Sequence, residues 1–300
     1  MKDTPLYYKS ISDIGLLIAE KKLSPVEITE TMLNRISETD NLFQAYATVM
    51  GDRAIEQARA AETALAQGNY IGPLHGVPIA VKDLCFTKDV RTMGGTRVLM
   101  ENITDFDSTV VQKLYDAGAI ILGKLNLTEG AMAGYNPDFQ VPINPWGANL
   151  WSGASSSGSG VATAAGLCYG SLGSDTGGSI RFPSASCGIV GIKPTWGRVS
   201  RYGVLALAES LDHIGPMTRS VQDAGLMLNA IAGFDPNDPT SLSDPVPNML
   251  EGIENGIEGL RIGLDENYIS EGTDPQVTAS VLDGIKLLES LGALVVPIKM

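Results

Sequence analysis

Gly153-Ala154-Ser155-Ser156-Ser157-Gly158-Ser159-Gly160, then an alanine-rich run, then Gly173-Ser174-Asp175-Thr176-Gly177-Gly178-Ser179-Ile180-Arg181-Phe182-Pro183, is the stretch around which this chain is organised. Two serine- and glycine-rich loops bracket one short segment of small residues, which suits a closely packed helix. A phosphate cradle is the first chemistry to test, because glycine-rich loops ahead of helices bind phosphate through backbone N–H groups. It fails on detail: Gly153 and Gly158 have P-loop spacing, but Ser159 stands where the lysine must be, and Thr163 replaces the third glycine of a dinucleotide fingerprint.

Serine nucleophile chemistry is the remaining candidate, and it needs a base. The chain has only two histidines, His75 and His213, and no Gly-x-Ser-x-Gly elbow, so both histidines are read as structural. No Ser-x-x-Lys is present either. What remains is a lysine distant in sequence, and Lys82 stands at the end of the short apolar run Val77-Pro78-Ile79-Ala80-Val81. A lysine acts as a base only when neutral, and its ordinary pKa is about 10.4, so the site must be desolvated and supply hydroxyl partners. Asp83 would hold the proton on, unless strand alternation points it to the other face.

Outward from this stretch the chain alternates strand and helix. Ser24-Pro25-Val26-Glu27 predicts a helix start, with Ser24 as cap and Glu27 at the capping-box position; a second helix is expected at about 52–67. Buried strands are expected at 77–81, 119–123 and 188–192, a short strand or turn at 171–173, and helices at 107–117, from 125 to 132, and around 226–231. The proline-rich 235–247 reads as a surface loop. A strand, helix and strand are expected at 260–264, 277–291 and 293–298. The pattern is that of an α/β protein. Without a linker in the middle, a single domain spanning 1–300 is expected, with a helical N-terminal arm (1–70), a catalytic core (71–232) and the start of a C-terminal part (248–300).

Composition narrows the function class. A formal charge of −13 and a pI near 4.6 disfavour direct nucleic-acid binding. Cys85, Cys168 and Cys187 are odd in number and lack a Cys-x-x-Cys pair, so neither a disulfide framework nor a metal site is indicated. No apolar run approaches the roughly 20 residues of a membrane span, and residues 1–20 carry no signal-peptide core, so a cytoplasmic enzyme without cofactor or membrane contact is expected.

The segment 153–183, with Val81-Lys82-Asp83 upstream, resembles the amidase signature family, whose pattern is a Gly-Gly-Ser-Ser-Gly-Gly-Ser loop, a small-residue helix and Asp-Thr-Gly-Gly-Ser-Ile-Arg-x-Pro. The likeness extends over 72–83, 123–126, Asn144-Pro145-Trp146, 188–203, 210–223 and 235–241. It implies a mixed central β-sheet flanked by helices on both faces and a Ser–cis-Ser–Lys triad. In that triad Ser179 is the nucleophile, Ser155 the bridging serine with the cis peptide and Lys82 the base. It further implies an oxyanion hole from the N–H groups of Thr176, Gly177, Gly178 and Ser179, a backbone contact near Ala131 with the substrate amide, and loop-ordering roles for Asp175 and Arg181. Ala154 and Ser157 replace the commoner glycines. Family members are longer, so the resemblance also implies a C-terminally truncated chain whose sheet is incomplete at that end. The implied function is hydrolysis of a small-molecule carboxylic amide through an acyl-enzyme, by a homodimer if by an assembly. The alternatives are the glutamine-hydrolysing component of a tRNA-dependent amidotransferase, with a partner protein holding the tRNA, and an inactive fragment.

Overall fold

The computed structural model describes residues 4–132 and 134–300. The chain divides into two compact units, Met1–Met249 and Leu250–Met300. The boundary between the units falls beside residue 248, just after the proline-rich loop 235–247.

The larger unit is built on a six-stranded mixed sheet of order β1-β3-β2-β4-β6-β5. Its strands are β1 (Tyr46–Val49), β2 (Pro78–Lys82), β3 (Ile120–Leu125), β4 (Gly170–Asp175), β5 (Val190–Gly191) and β6 (His213–Thr218). β3, β2 and β4 are mutually parallel, and β1, β6 and β5 run antiparallel to their neighbours. Every residue of β2, β3 and β4 is buried, as parallel strands covered on both faces must be. Among the described residues seven α-helices accompany the sheet: α1 (Ile11–Ala19), α2 (Pro25–Phe43), α3 (Gly51–Ala66), α4 (Thr109–Asp116), α5 (Ser157–Ala164), α6 (Arg181–Cys187) and α7 (Val221–Ile231).

The N-terminal arm follows its capping chemistry. Ser24 Oγ accepts from the N–H groups of Val26 and Glu27, with Pro25 in the first turn, and its hydroxyl donates to Glu62 on α3, while the Glu27 carboxylate does not accept from the Ser24 N–H to close a box. The reciprocal capping box belongs instead to Ser10 and Asp13 at the start of α1. Asp223 of α7 accepts from the N–H groups of Ile11 and Ser12, so α7 anchors α1 by its N-terminus. Ile11, Ile14 and Ile18 of α1 and Ile28, Met32 and Ile36 of α2 then enter one core with Ile79, Val81 and Ile121 of the sheet.

The expected helix over 125–132 is not formed. Leu125 completes β3, and only a single 3-10 turn, Glu129–Ala131, follows, because Gly130 and Ala131 both take positive φ and cannot continue a helix. β4 and β6 lacked an apolar signature in the sequence. Gly170-Ser171-Leu172-Gly173-Ser174-Asp175 is nevertheless a full strand, paired along its whole length with β6, where Pro216 lies opposite Leu172. Close packing explains the glycines of this region. A Cβ on Gly158 would lie 2.5 Å from the Asn126 carbonyl oxygen and 2.6 Å from that of Ala45, so α5 reaches the end of β3 only with hydrogen there.

The smaller unit pairs β7 (Arg261–Leu264) with β8 (Leu294–Pro297) in parallel, joined through α8 (Glu266–Ser270) and α9 (Pro275–Ser290). Among the described residues no helix is long and apolar enough to cross a membrane.

Candidate active site

β2 and β4 lie side by side and parallel, so Lys82 at the end of one and Ser174-Asp175 at the end of the other reach the same edge of the sheet. Ligand sites of open α/β sheets form at such carboxyl ends. The serine-rich loop reaches the same place just before α5. Its Ala154–Ser155 peptide is cis.

Lys82 is 1% exposed, and among the described residues its ammonium group has only hydroxyl partners: Ser155 Oγ at 2.7 Å, Ser156 Oγ at 2.9 Å and Ser174 Oγ at 2.8 Å. Burial pushes its pKa down to about 7, against the opposing attraction of Cys85, Asp175 and Asp212. Ser156 and Ser174, which sequence reasoning did not single out, complete this cage. Ser156 Oγ donates to the Ser174 carbonyl oxygen and accepts from the Ser174 N–H, stitching the loop to β4. Their only sequence signal was position: each adjoins a residue already singled out.

Asp83 does turn away from this cage. Its Oδ2 accepts from the Met93 N–H at 2.9 Å, and its Oδ1 meets Lys124 Nζ at 3.4 Å as a fully buried ion pair. Lys124 spends its hydrogen bonds on the Cys85 carbonyl oxygen and Thr92 Oγ1. Burial raises the carboxyl pKa of Asp83 despite the Lys124 charge and lowers that of Lys124 despite the Asp83 charge, so desolvation outweighs pairing on both sides. Lys124 is the counter-ion the sequence left unidentified.

Asp175 organises the second loop. Its carboxylate accepts from the N–H groups of Gly178, Ile180 and Arg181 and, in a two-pronged contact, from the Arg181 guanidinium at 3.0 and 2.9 Å. Burial alone would raise its pKa, but Arg181 and the Ile180 and Gly178 N–H groups outweigh burial and hold it at about 2. The Gly178 N–H, one of four expected oxyanion donors, is therefore already committed. Those of Thr176, Gly177 and Ser179 donate to no group among the described residues.

Ser179 is half-buried. Its carbonyl oxygen accepts from the Ser156 N–H at 3.2 Å, which ties the two loops together, while its hydroxyl has no hydrogen-bond partner among the described residues. Lys82 and Ser155 are thus brought into direct contact, and the Ser155–Ser179 step is left open, as is common before substrate tightens a site. Ala131, Ser174 and Thr176 border a cavity of about 350 Å³, walled also by Leu84, Leu207 and Asp212. Ala131 is buried with φ 61°, and its N–H is taken by the Thr128 carbonyl oxygen.

Both histidines are bound to backbone. His75 Nε2 lies 2.9 Å from the Ala61 carbonyl oxygen, and His213 Nδ1 lies 2.6 Å from that of Leu211. The three cysteines are free and buried, and burial pushes Cys85 and Cys168 up to about 11 and Cys187 up to about 12.

The model of the amidase family matches residues 27–300. The chain belongs to the amidase family. It is 48% identical over 283 residues to the protein bearing the name amidase AmiD in Mycobacterium bovis, covering 94% of this chain and 59% of that protein. It is 46% identical over 291 residues to the A component of the glutamyl-tRNA(Gln) amidotransferase of Moorella thermoacetica, covering 96% of this chain and 60% of that one. Among solved structures, the native peptide amidase of Stenotrophomonas maltophilia superposes with a TM-score of 0.90 at 32% identity, over 98% of this chain and 63% of that chain. The chain therefore spans about three fifths of the length of the relatives it matches. The amidase fold, a mixed central sheet flanked by helices, is shared along nearly all of this chain.

Proposed function

We propose that this amidase-family chain carries the machinery to hydrolyse a carboxylic amide to an acid plus ammonia or an amine, through an acyl-enzyme on Ser179. The observation that carries the reading is the buried Lys82 Nζ held 2.7 Å from Ser155 Oγ. A neutral lysine has two N–H donors and one lone pair, so one of its three hydroxyl neighbours must donate to it. Ser156 gives its hydroxyl proton to the Ser174 carbonyl oxygen. Ser155 can then donate to Lys82 and present its own oxygen to the Ser179 hydroxyl.

In the forward step Ser179 Oγ bonds to the substrate carbonyl carbon. Its proton passes to Ser155, and the Ser155 proton passes to Lys82. The N–H groups of Thr176, Gly177 and Ser179, which donate to no group among the described residues, are the donors available to the developing oxyanion. Collapse of the tetrahedral intermediate breaks the C–N bond, and the proton returns through Ser155 to the leaving nitrogen. Water repeats the sequence to release the acid. The backbone at Ala131, on the cavity wall, is the proposed contact for the amide group. The amidotransferase alternative requires a second protein on top of the same acyl-enzyme, and no observation favours it over direct hydrolysis.

A fluorophosphonate reacts with a serine only when it is activated and its oxyanion is stabilised. Peptide mapping of the labelled protein is expected to place the adduct on Ser179. An adduct on Ser155 or Ser156 instead, or no adduct at all, would contradict the assignment.

A further inference from the structure

Asp212 is 7% exposed and lies at the entrance to β6, where the ladder with β4 sets Asp175 opposite His213. Its carboxylate joins two segments that no strand pairing connects. Oδ1 accepts from the Thr176 hydroxyl at 2.5 Å, and Oδ2 accepts from the N–H groups of Leu207 and Ala208 at 2.8 and 3.0 Å. Thr176 heads the turn that leads to Ser179, whereas Leu207 belongs to the cavity wall, and both border the same cavity as Asp212 itself. The wall is a small apolar cluster in which Leu84, Leu127 and Ala131 pack with Val204, Leu205 and Leu207, and Val204 also packs on the main core. Leu207 and Ala208 are themselves only half-buried, so a fixed tie to the catalytic turn has mechanical consequences there.

We propose that Asp212 is a positioning residue for the reaction on Ser179, holding the Thr176 turn, and with it the N–H donors of that turn, in one fixed relation to the Leu207–Ala208 wall. This inference rests on the acyl-enzyme reading for its kinetic consequence, but not for its electrostatic one. Lys82 is faced by three titratable groups: Cys85 in the loop after β2, Asp175 at the end of β4 and Asp212 at the start of β6. Arg201 and Glu209 also line the cavity that Asp212 borders. The negative charge at 212 favours the protonated form of Lys82, so its removal lowers the pH at which Lys82 titrates.

The test compares wild type, Asp212→Asn, Thr176→Val and the double variant in the full chain. Asparagine keeps one acceptor oxygen and sets an NH2 group, two donors, where three donors converge, and valine removes only the hydroxyl. Fluorophosphonate labelling of Ser179, measured at about pH 9 where Lys82 is neutral in every variant, is expected to slow roughly ten- to a hundredfold in each single variant. The double variant is expected to be no slower than the slower single, because one linkage is lost in all three. Carbon-13 NMR of the Lys82 ε-carbon, which needs no turnover, is expected to show the titration of Lys82 moved to lower pH in Asp212→Asn and unmoved in Thr176→Val. An unshifted Lys82 titration in Asp212→Asn, or losses that multiply in the double variant, would overturn the proposal. If Asp212→Asn fails to fold, Thr176→Val decides: a wild-type labelling rate overturns the linkage. If the wild type itself is never labelled, the acyl-enzyme reading fails and the NMR arm still decides whether Asp212 acts on Lys82.

Discussion

Lys82→Met is expected to lower the rate of Ser179 acylation by about a thousandfold or more while the protein stays folded. Methionine matches the length of the buried stem and brings no charge, so the sheet end keeps its packing. The variant loses only the group that can take the Ser155 proton. Three hydroxyls, those of Ser155, Ser156 and Ser174, lose their common partner, which costs some stability, but removing a group that is expensive to bury offsets part of it. Single-turnover acylation with an activated ester, run beside thermal unfolding, separates the two effects. A variant that keeps a tenth of the wild-type rate would remove Lys82 from the mechanism.

Lys124→Met is expected to act through stability rather than chemistry. It leaves the fully buried Asp83 carboxylate without a counter-ion, and breaking a buried pair from one side costs about 3–5 kcal/mol. The sign is fixed by the desolvation already visible in the pair: burial raises the Asp83 carboxyl even with Lys124 present, and without it the group must take up a proton to stay folded. The double variant Asp83→Asn with Lys124→Met is expected to recover most of that loss, because no charge is then stranded. Urea unfolding at neutral pH measures both. A single-variant loss below about 1 kcal/mol, or a double variant less stable than the single, would show that the pair is not the coupled unit its geometry indicates.

Much of this was legible in the sequence, and what escaped shares a cause. Ser24-Pro25 marked the start of α2, and the apolar run before Lys82 marked β2, because caps and short apolar strands are local signals. The contact between Lys82 and Ser155, 73 residues apart, was reachable only through the family resemblance, since no spacing rule connects a strand end to a distant loop. β6 was missed, and β4 was read only as a short strand or turn over 171–173, because glycine, serine and proline fill positions where neighbouring elements approach too closely for larger side chains. Lys124 was missed for a related reason: its partner Asp83 lies just past the end of another strand, and the sequence shows only a lysine inside an apolar run. The Gly178 N–H looked free because the sequence cannot reveal that Asp175 folds back upon it.

The central claim is that a buried Lys82, neutral near neutrality, drives Ser179 through Ser155. Burial lowers the pKa of Lys82 to about 7, so Nζ is protonated and unable to accept a proton below that pH and becomes a base above it. The pH dependence of Ser179 fluorophosphonate labelling tests this directly. The rate is predicted to fall about tenfold for each pH unit below 7 and to level off above about pH 8, with a single midpoint near 7 that vanishes in Lys82→Met. A rate independent of pH between 5 and 9, or a midpoint near the ordinary lysine value of about 10.4, would contradict it.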